Sequence, residues 1–515
     1  MASYYFPRCL GLILIGLLIY AQTFQFGFVF DDNFFILDTP YIRSFENINQ
    51  IWAILPRTRM VGIYSLALNY HINQLFPQGY HIFNFVVHLL ATGLVWALAT
   101  VLFEIEGWVP SGSRPKGANQ ELPFVIALFF LVHPCQTQAV TYISQRFESM
   151  ATVFYLASIY FYLGGRIASS QRHKIFLLAA SVVFAILGIF TKEVAVTIPL
   201  MVWAAEAILF NRDGSNFKKF PSRLFYFPII GLGVLFIFLL MKMVHTNLNN
   251  LFLHFSASSG SYDGDVITGG KYVLTQMRVF LTFLRLLILP MNQNLDYDYP
   301  VSTDFFNPPL TMVGLCVVGF MVFLIFKLRH RWPLIAFGLA WILITFSINI
   351  VPRANVIFEH KLYLISFGFF LTSICALSMI IKDRKILIGL LITLIAVLSV
   401  VSYNRNQVWK NEETLWEDVT RKSPHKARAF DGLGVAYAKE GQFERAFLAF
   451  NKAIEIKPDF AEGYNNRGNA YRHQGNYTQA LIDFNKAIAL EPNYFQAYVN
   501  RAEVYKKYRE ISGQH

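Results

Sequence analysis

Charge is scarce in this chain. Asp, Glu, Lys and Arg make up 15% of its 515 residues, where a water-soluble protein carries roughly 25%. Hydrophobic residues reach 55%, 50 of them Phe, and the mean hydropathy is +0.42. The three or four soluble domains that the length would suit are thereby excluded. Cysteine is equally sparse. Cys9, Cys316 and Cys375 sit in apolar runs, and Cys135 stands alone beside His133-Pro134. That pattern is neither a disulfide framework nor a metal site. The chain also lacks a Walker phosphate loop, H-E-x-x-H, G-x-S-x-G and C-x-x-C, so ATP-driven transport and thiol chemistry have no support.

What remains is a polytopic membrane protein, all-α, with about eleven spans. Apolar runs centre on 9–28, 82–103, 122–133, 149–164, 175–190, 194–210, 224–243, 309–326, 333–350, 362–381 and 386–402. Several fall short of the ~20 residues of an average span, most clearly 122–133, which must tilt, thin the bilayer or be shielded by protein. The first run has only Arg8 before it and no A-x-A cleavage pattern; it reads as an uncleaved span. The net charge of +12 could mark nucleic-acid binding, but the excess lies mainly between apolar runs of residues 1–403. Loops that face the cytoplasm when the N-terminus is inside carry 16 Lys/Arg, and the longer opposite loops carry 11. This bias predicts a cytoplasmic N-terminus and, with an odd span count, an extracytoplasmic C-terminal tail. Residues 271–290 are apolar but interrupted by Arg278 and Arg285, seven apart on one helical face. They are expected to form an amphipathic or re-entrant helix at the outer surface.

Residues 404–515 form a second domain. Pro424, Pro458 and Pro492 recur every 34 residues. Leu433-Gly434, Tyr437, Ala446, Phe450 and Ala453 fall at the offsets repeated by Gly468, Tyr471, Ala480, Phe484 and Ala487. This is the tetratricopeptide pattern, an α-solenoid of paired helices. It has a half unit at 411–426, full units at 427–460 and 461–494, and a partial unit at 495–515. Trp416 takes the place of Phe450 and Phe484. Small residues let the paired helices approach, aromatic residues fill the space between them, and the concave side suits an extended peptide.

Polar residues at membrane borders are costly and therefore informative. They gather on the predicted outer side in five clusters. Asp31-Asp32-Asn33 follows the first span; one carboxylate would act as a base and the other would orient the acceptor or raise its neighbour's pKa, or the pair would cap a turn. The second cluster runs from His133 through Gln145, Arg146 and Glu148. Arg146 offers a planar fork to a lipid phosphate, or pairs with a carboxylate. Lys192-Glu193 either neutralises a phosphate or satisfies itself. Asp296-Tyr297-Asp298 suits sugar or acceptor contacts, and a D-x-D pair can also hold a divalent metal. Arg353, Glu359, His360 and Lys361 place cations and a carboxylate at the mouth of a span, for a phosphate or for interfacial snorkelling.

In combination, F-V-F-D-D-N (28–33), T-P-Y-I (39–42), G-Y-H-I-F-N (79–84), the run 133–150, T-K-E (191–193), L-D-Y-D-Y-P (295–300), E-H-K-L-Y-L (359–364) and the repeats resemble the transmembrane and tetratricopeptide repeat-containing proteins. These are O-mannosyltransferases of the GT-C membrane glycosyltransferase superfamily. The resemblance covers nearly the whole chain. It implies a GT-C-like domain over 1–403 and inverting transfer of mannose or another hexose from a polyprenyl-phosphate donor to protein Ser/Thr hydroxyls on the extracytoplasmic side. It also implies that the acidic pair Asp31 and Asp32 is catalytic; the polar clusters then offer Arg146, Lys192, Arg353, His360 and Lys361 to the donor phosphate, and His133, Gln145, Glu148, Glu193, Asp296, Tyr297, Asp298 and Glu359 to the substrate. No cofactor and no divalent metal is expected, and the repeats would hold the protein acceptor. The short array and the Ser-Gly-Gln-His end point to a bacterial inner-membrane relative with a periplasmic site; the endoplasmic reticulum is the eukaryotic counterpart. The competing expectations are a non-catalytic scaffold that recruits envelope or secretory proteins through its repeats, and a lipid-sugar flippase. The flippase is disfavoured because the polar residues gather at span ends.

Overall fold

The computed structural model of the chain describes residues 2–47, 59–106, 121–210, 267, 269–351 and 355–512. No strand occurs among them. They fall into two compact units. Of the described residues, the first takes those up to Gln293 and Val301–Trp409; the second takes Asn294–Pro300 and those from Lys410 onward.

In the first unit the long helices are α1 (Ala2–Tyr20), α2 (Met60–Asn73), α3 (Pro77–Glu106), α4 (Glu121–Val132), α5 (Arg146–Ile167), α6 (Gln171–Ile189), α7 (Ile198–Ala205), α8 (Gly269–Ile288), α9 (Leu310–Leu328), α10 (Pro333–Ser347), α11 (Leu362–Ile380) and α12 (Arg384–Gln407). Among the described residues, eight helical stretches are long and apolar enough to cross a membrane. The pair Glu121–Val132 and Pro134–Val140, bent by 55°, makes a ninth if it counts as one span. The expected span at 149–164 lies inside α5, which is not apolar enough to join this set. The expected span at 224–243 lies outside the described residues. The expected domain break at 403 falls within α12, which runs on to Gln407.

Faces that no protein covers are apolar. Phe176 and Val183 on α6, Phe320, Phe323 and Phe326 on α9, and Ile392 and Val400 on α12 are all exposed. Such surface suits lipid and not water. Short α4 is shielded instead. Ile126, Ala127, Phe130 and Leu131 are fully buried, and the helix packs against α1, α3, α11 and α12. Backbones meet where α10 and α11 cross. A Cβ on Gly368 would lie 2.7 Å from the Gly338 carbonyl oxygen, so only glycine fits. Helix α8 is amphipathic in form. Val279, Phe280, Phe283 and Leu286 face inward, with the Phe280 ring 4.8 Å from that of Phe346.

The second unit holds α13 (Glu412–Lys422), α14 (Ala427–Lys439), α15 (Phe443–Ile456), α16 (Ala461–His473), α17 (Tyr477–Leu490) and α18 (Phe495–Ser512). The periodic residues do what their spacing predicts. A Cβ on Gly434 would strike the Phe450 ring at 2.6 Å, and one on Gly468 the Phe484 ring at 2.9 Å. Trp416 of the half unit packs forward instead, against Gly432 in the first helix of the next unit. Side-chain amides tie one repeat to the next: Asn466 donates to Asp431 and Asn500 donates to Asn465, both at 2.9 Å.

Candidate functional site

The polar run 133–149 reads in sequence as a loop. In the structure it is a buried ribbon, and of its residues only Gln145 is partly exposed. Pro134 cannot continue α4, so the chain breaks at His133 and passes through short helical turns before entering α5 at Arg146. Burying so many polar groups is tolerable only if they are bonded. Asn84 donates to the Val140 and Ile143 carbonyls, Thr141 donates to Asn406, and His133 lies 3.2 Å from the Leu287 carbonyl oxygen.

The acidic pair docks on this ribbon. Val29 to Asp32 form a turn, with the Asp32 N–H donating to the Val29 carbonyl and Phe30 in the left-handed region at φ 55. That conformation costs a non-glycine residue roughly 1–2 kcal/mol. The two carboxylates that follow enter different surroundings. Asp32 is fully buried. Its Oδ1 accepts from the Ser144 N–H at 2.7 Å and its Oδ2 from the Val29 N–H at 3.2 Å. Burial raises its pKa to about 7 against the pull of these donors. Asp31 stays half-buried. Its N–H donates to the Tyr142 hydroxyl at 3.1 Å, and the Tyr142 phenol, which burial keeps protonated, also hydrogen-bonds the Asp31 carboxylate. Tyr142 is itself stacked on Trp409, with ring centres 5.2 Å apart.

Further along, Lys192 donates to Glu148 at 2.9 Å and to Gln145 at 3.2 Å. Glu193 is close enough to act on the Lys192 charge. The ribbon thus brings Asp31, Asp32, Gln145, Glu148, Lys192 and Glu193 together. Arg146, one of the expected phosphate contacts, is turned into the protein. It is fully buried beside the Phe83 and Tyr80 rings, and its two terminal nitrogens donate to Asn69, the Ser65 carbonyl and the Tyr80 carbonyl. It braces α2 and α3 against α5.

At the other end of the ribbon, Glu359, His360 and Lys361 are buried. Gln293 donates to Glu359 and to the Pro134 carbonyl, the His360 N–H donates to Gln138, and His360 stacks on Phe358. Together with His133 these form a second polar centre. Arg353 lies outside the described residues. Asp296, Tyr297 and Asp298 belong to the repeat-containing unit. There Asp296 pairs with Lys426 at 2.6 Å and with Arg428 at 3.4 Å, Lys426 also donates to the Tyr297 carbonyl, and Ser423 binds Asp296 and Asp298 through their backbone. Sequence reasoning missed Ser423, Lys426 and Arg428; the signal for them was the cation-rich approach to the first full repeat. Among the described residues no group of three or more His, Cys, Asp or Glu is placed to hold a metal ion.

Comparison with known proteins bears on what this arrangement serves. Residues 461–494 and 434–472 match the tetratricopeptide repeat family. A protein O-mannosyl-transferase of Caenorhabditis elegans is 25% identical over 479 residues, which is 87% of this chain and 63% of that protein. The human protein O-mannosyl-transferase TMTC3 is 23% identical over 482 residues, 84% of this chain and 49% of its own length. The chain is a homologue of the transmembrane and tetratricopeptide repeat-containing protein O-mannosyl-transferases. A third family member, Tmtc2 of Drosophila melanogaster, is 30% identical over a shorter stretch of 230 residues, 41% of this chain and 22% of that protein. The chain spans about half to three fifths of the length of the first two family members.

Proposed function

We propose that this protein is a GT-C-type O-mannosyltransferase that moves a hexose, mannose by analogy with the names of its relatives, from a polyprenyl-phosphate donor to Ser/Thr hydroxyls of a protein acceptor. The observation that carries this reading is the division of labour within the acidic pair. Asp32 has both oxygens held by backbone N–H groups, so it fixes the turn. Asp31 remains half-buried on the Tyr142 hydroxyl and acts as the base. It takes the acceptor hydroxyl proton as that oxygen attacks the anomeric carbon from the face opposite the leaving group. The bond from the anomeric carbon to the phosphate oxygen breaks, and its electron pair leaves with polyprenyl phosphate, so the sugar is inverted. The departing phosphate is a stable anion and demands no general acid. Lys192 offsets its growing charge.

The turn bearing Asp31 begins a few residues after a membrane-spanning candidate, Tyr5–Gln25. That suits a donor whose lipid tail stays in the bilayer. The site lies on the extracytoplasmic side in this reading, the periplasmic face of a bacterial inner membrane, and the repeats hold the acceptor in extended form. Purified full-length protein incubated with polyprenyl-phosphate mannose and a Ser/Thr-rich peptide is expected to yield a hexose-bearing peptide by mass spectrometry. Undiminished transfer by Asp31→Asn would refute the assignment.

A further inference from the structure

Arg59, at the start of α2, was given no role in the site described above. It is half-buried, and its guanidinium carbon sits 6.0 Å from the centre of the Phe147 ring. Phe147 lies in the same ribbon turn whose Gln145 and Glu148 hold Lys192. The start of α2 is pinned there by the backbone, since the Val61 N–H donates to the Phe190 carbonyl at 3.0 Å. Arg59 and Lys192 therefore flank one segment, and the Arg59 charge disfavours the charged form of Lys192. Among the described residues Arg59 makes no ion pair and no side-chain hydrogen bond, while Lys192 uses two of its three N–H groups on Gln145 and Glu148. Glu148 and Glu193 offset part of the Lys192 charge, while Arg59 stands at the positive end of a fourteen-residue helix, where an anion is stabilised.

We propose that Arg59 and Lys192 form a two-cation site for the lipid phosphate, a diester in the sugar-bearing donor and a monoester in the polyprenyl phosphate that leaves, with Arg59 supplying a bidentate guanidinium contact and Lys192 a single charged hydrogen bond. A guanidinium fork matches phosphate oxygens. This rests on the reading of a polyprenyl-phosphate donor and names the residue that grips it.

The test is equilibrium binding of farnesyl phosphate, farnesol and inorganic phosphate to the purified full-length protein and its Arg59→Gln, Arg59→Lys and Asp31→Asn variants, with thermal midpoints recorded for each. Wild type is expected to bind farnesyl phosphate more tightly than farnesol or inorganic phosphate. Arg59→Gln should weaken that binding roughly ten- to hundredfold at an unchanged midpoint, Arg59→Lys should recover part of it, and Asp31→Asn should leave it intact. Wild-type affinity in Arg59→Gln overturns the two-cation site while the donor reading stands. A wild-type protein that binds farnesol as tightly as farnesyl phosphate overturns the donor reading itself. Equal binding of inorganic phosphate, displacing farnesyl phosphate, overturns the assignment to a lipid headgroup.

Discussion

Two adjacent carboxylates with opposite surroundings should fail in opposite ways when removed. At pH 6, below its raised pKa of about 7, Asp32 is largely neutral and still meets two backbone donors. Asp32→Ala would strand the Ser144 and Val29 N–H groups. At ~1–3 kcal/mol for each buried donor left unpaired, the loss is roughly 2–6 kcal/mol, seen as a clear drop in the thermal midpoint of the detergent-purified protein. Asp31→Asn keeps the shape of the side chain and leaves the Asp31 N–H to Tyr142 hydrogen bond in place, so its midpoint should match wild type. Its sugar transfer should fall about 10²- to 10⁴-fold, the usual contribution of a general base, or about 3–5 kcal/mol in barrier height. Measured side by side, the variants should separate stability from turnover. An Asp32→Ala protein as stable as wild type, or an Asp31→Asn protein that transfers sugar normally, would refute the reasoning.

The same geometry makes further predictions. Because the folded-state pKa of Asp32 lies above the ordinary carboxylate range, near 3.9, its stabilising contribution is full in acid and is lost as pH rises through about 7. Thermal midpoints measured from pH 5 to 9 should show that decline in wild type and lack it in Asp32→Asn. Lys192→Met leaves Glu148 buried and unpaired, which costs about 3–5 kcal/mol; adding Glu148→Met should restore much of the loss, and a double-mutant cycle with no coupling would contradict the pair. Trp416→Ala empties the gap against Gly432 and should destabilise the repeats by about 3–5 kcal/mol, read as early loss of helical signal. Gly368→Val forces a side chain against the Gly338 carbonyl and Trp341, and the full-length protein should lose yield and thermal stability; a variant as stable as wild type would show that the helices do not meet there.

Much of the architecture was legible because it rests on repetition. The 34-residue recurrence of Pro, Gly and Phe placed every full repeat, and long apolar runs placed most spans, since both signals are strong over many residues. The candidate site was legible only in outline. The motif 133–150 stood out, but only as a polar link between two spans, and the bonds that let it be buried come from Asn84, Leu287 and Asn406, far away in sequence. Asp31 and Asp32 could not be told apart as letters; their partners, the Ser144 and Val29 N–H groups for one and the Tyr142 hydroxyl for the other, separate them. For Arg146 the sequence offered a lipid phosphate or a carboxylate as partner, and did not reveal its bonds to Asn69, Ser65 and Tyr80. Arg59 was overlooked because nothing nearby in the chain resembles a site.

The proposed activity is tested most directly by offering the purified protein and a Ser/Thr-rich peptide a panel of polyprenyl-phosphate sugars alongside nucleotide sugars, and reading the peptide by mass spectrometry. The account predicts a hexose on Ser or Thr from polyprenyl-phosphate mannose and none from a nucleotide sugar. Transfer from the nucleotide sugar alone, or no transfer from any lipid-linked donor, would contradict it.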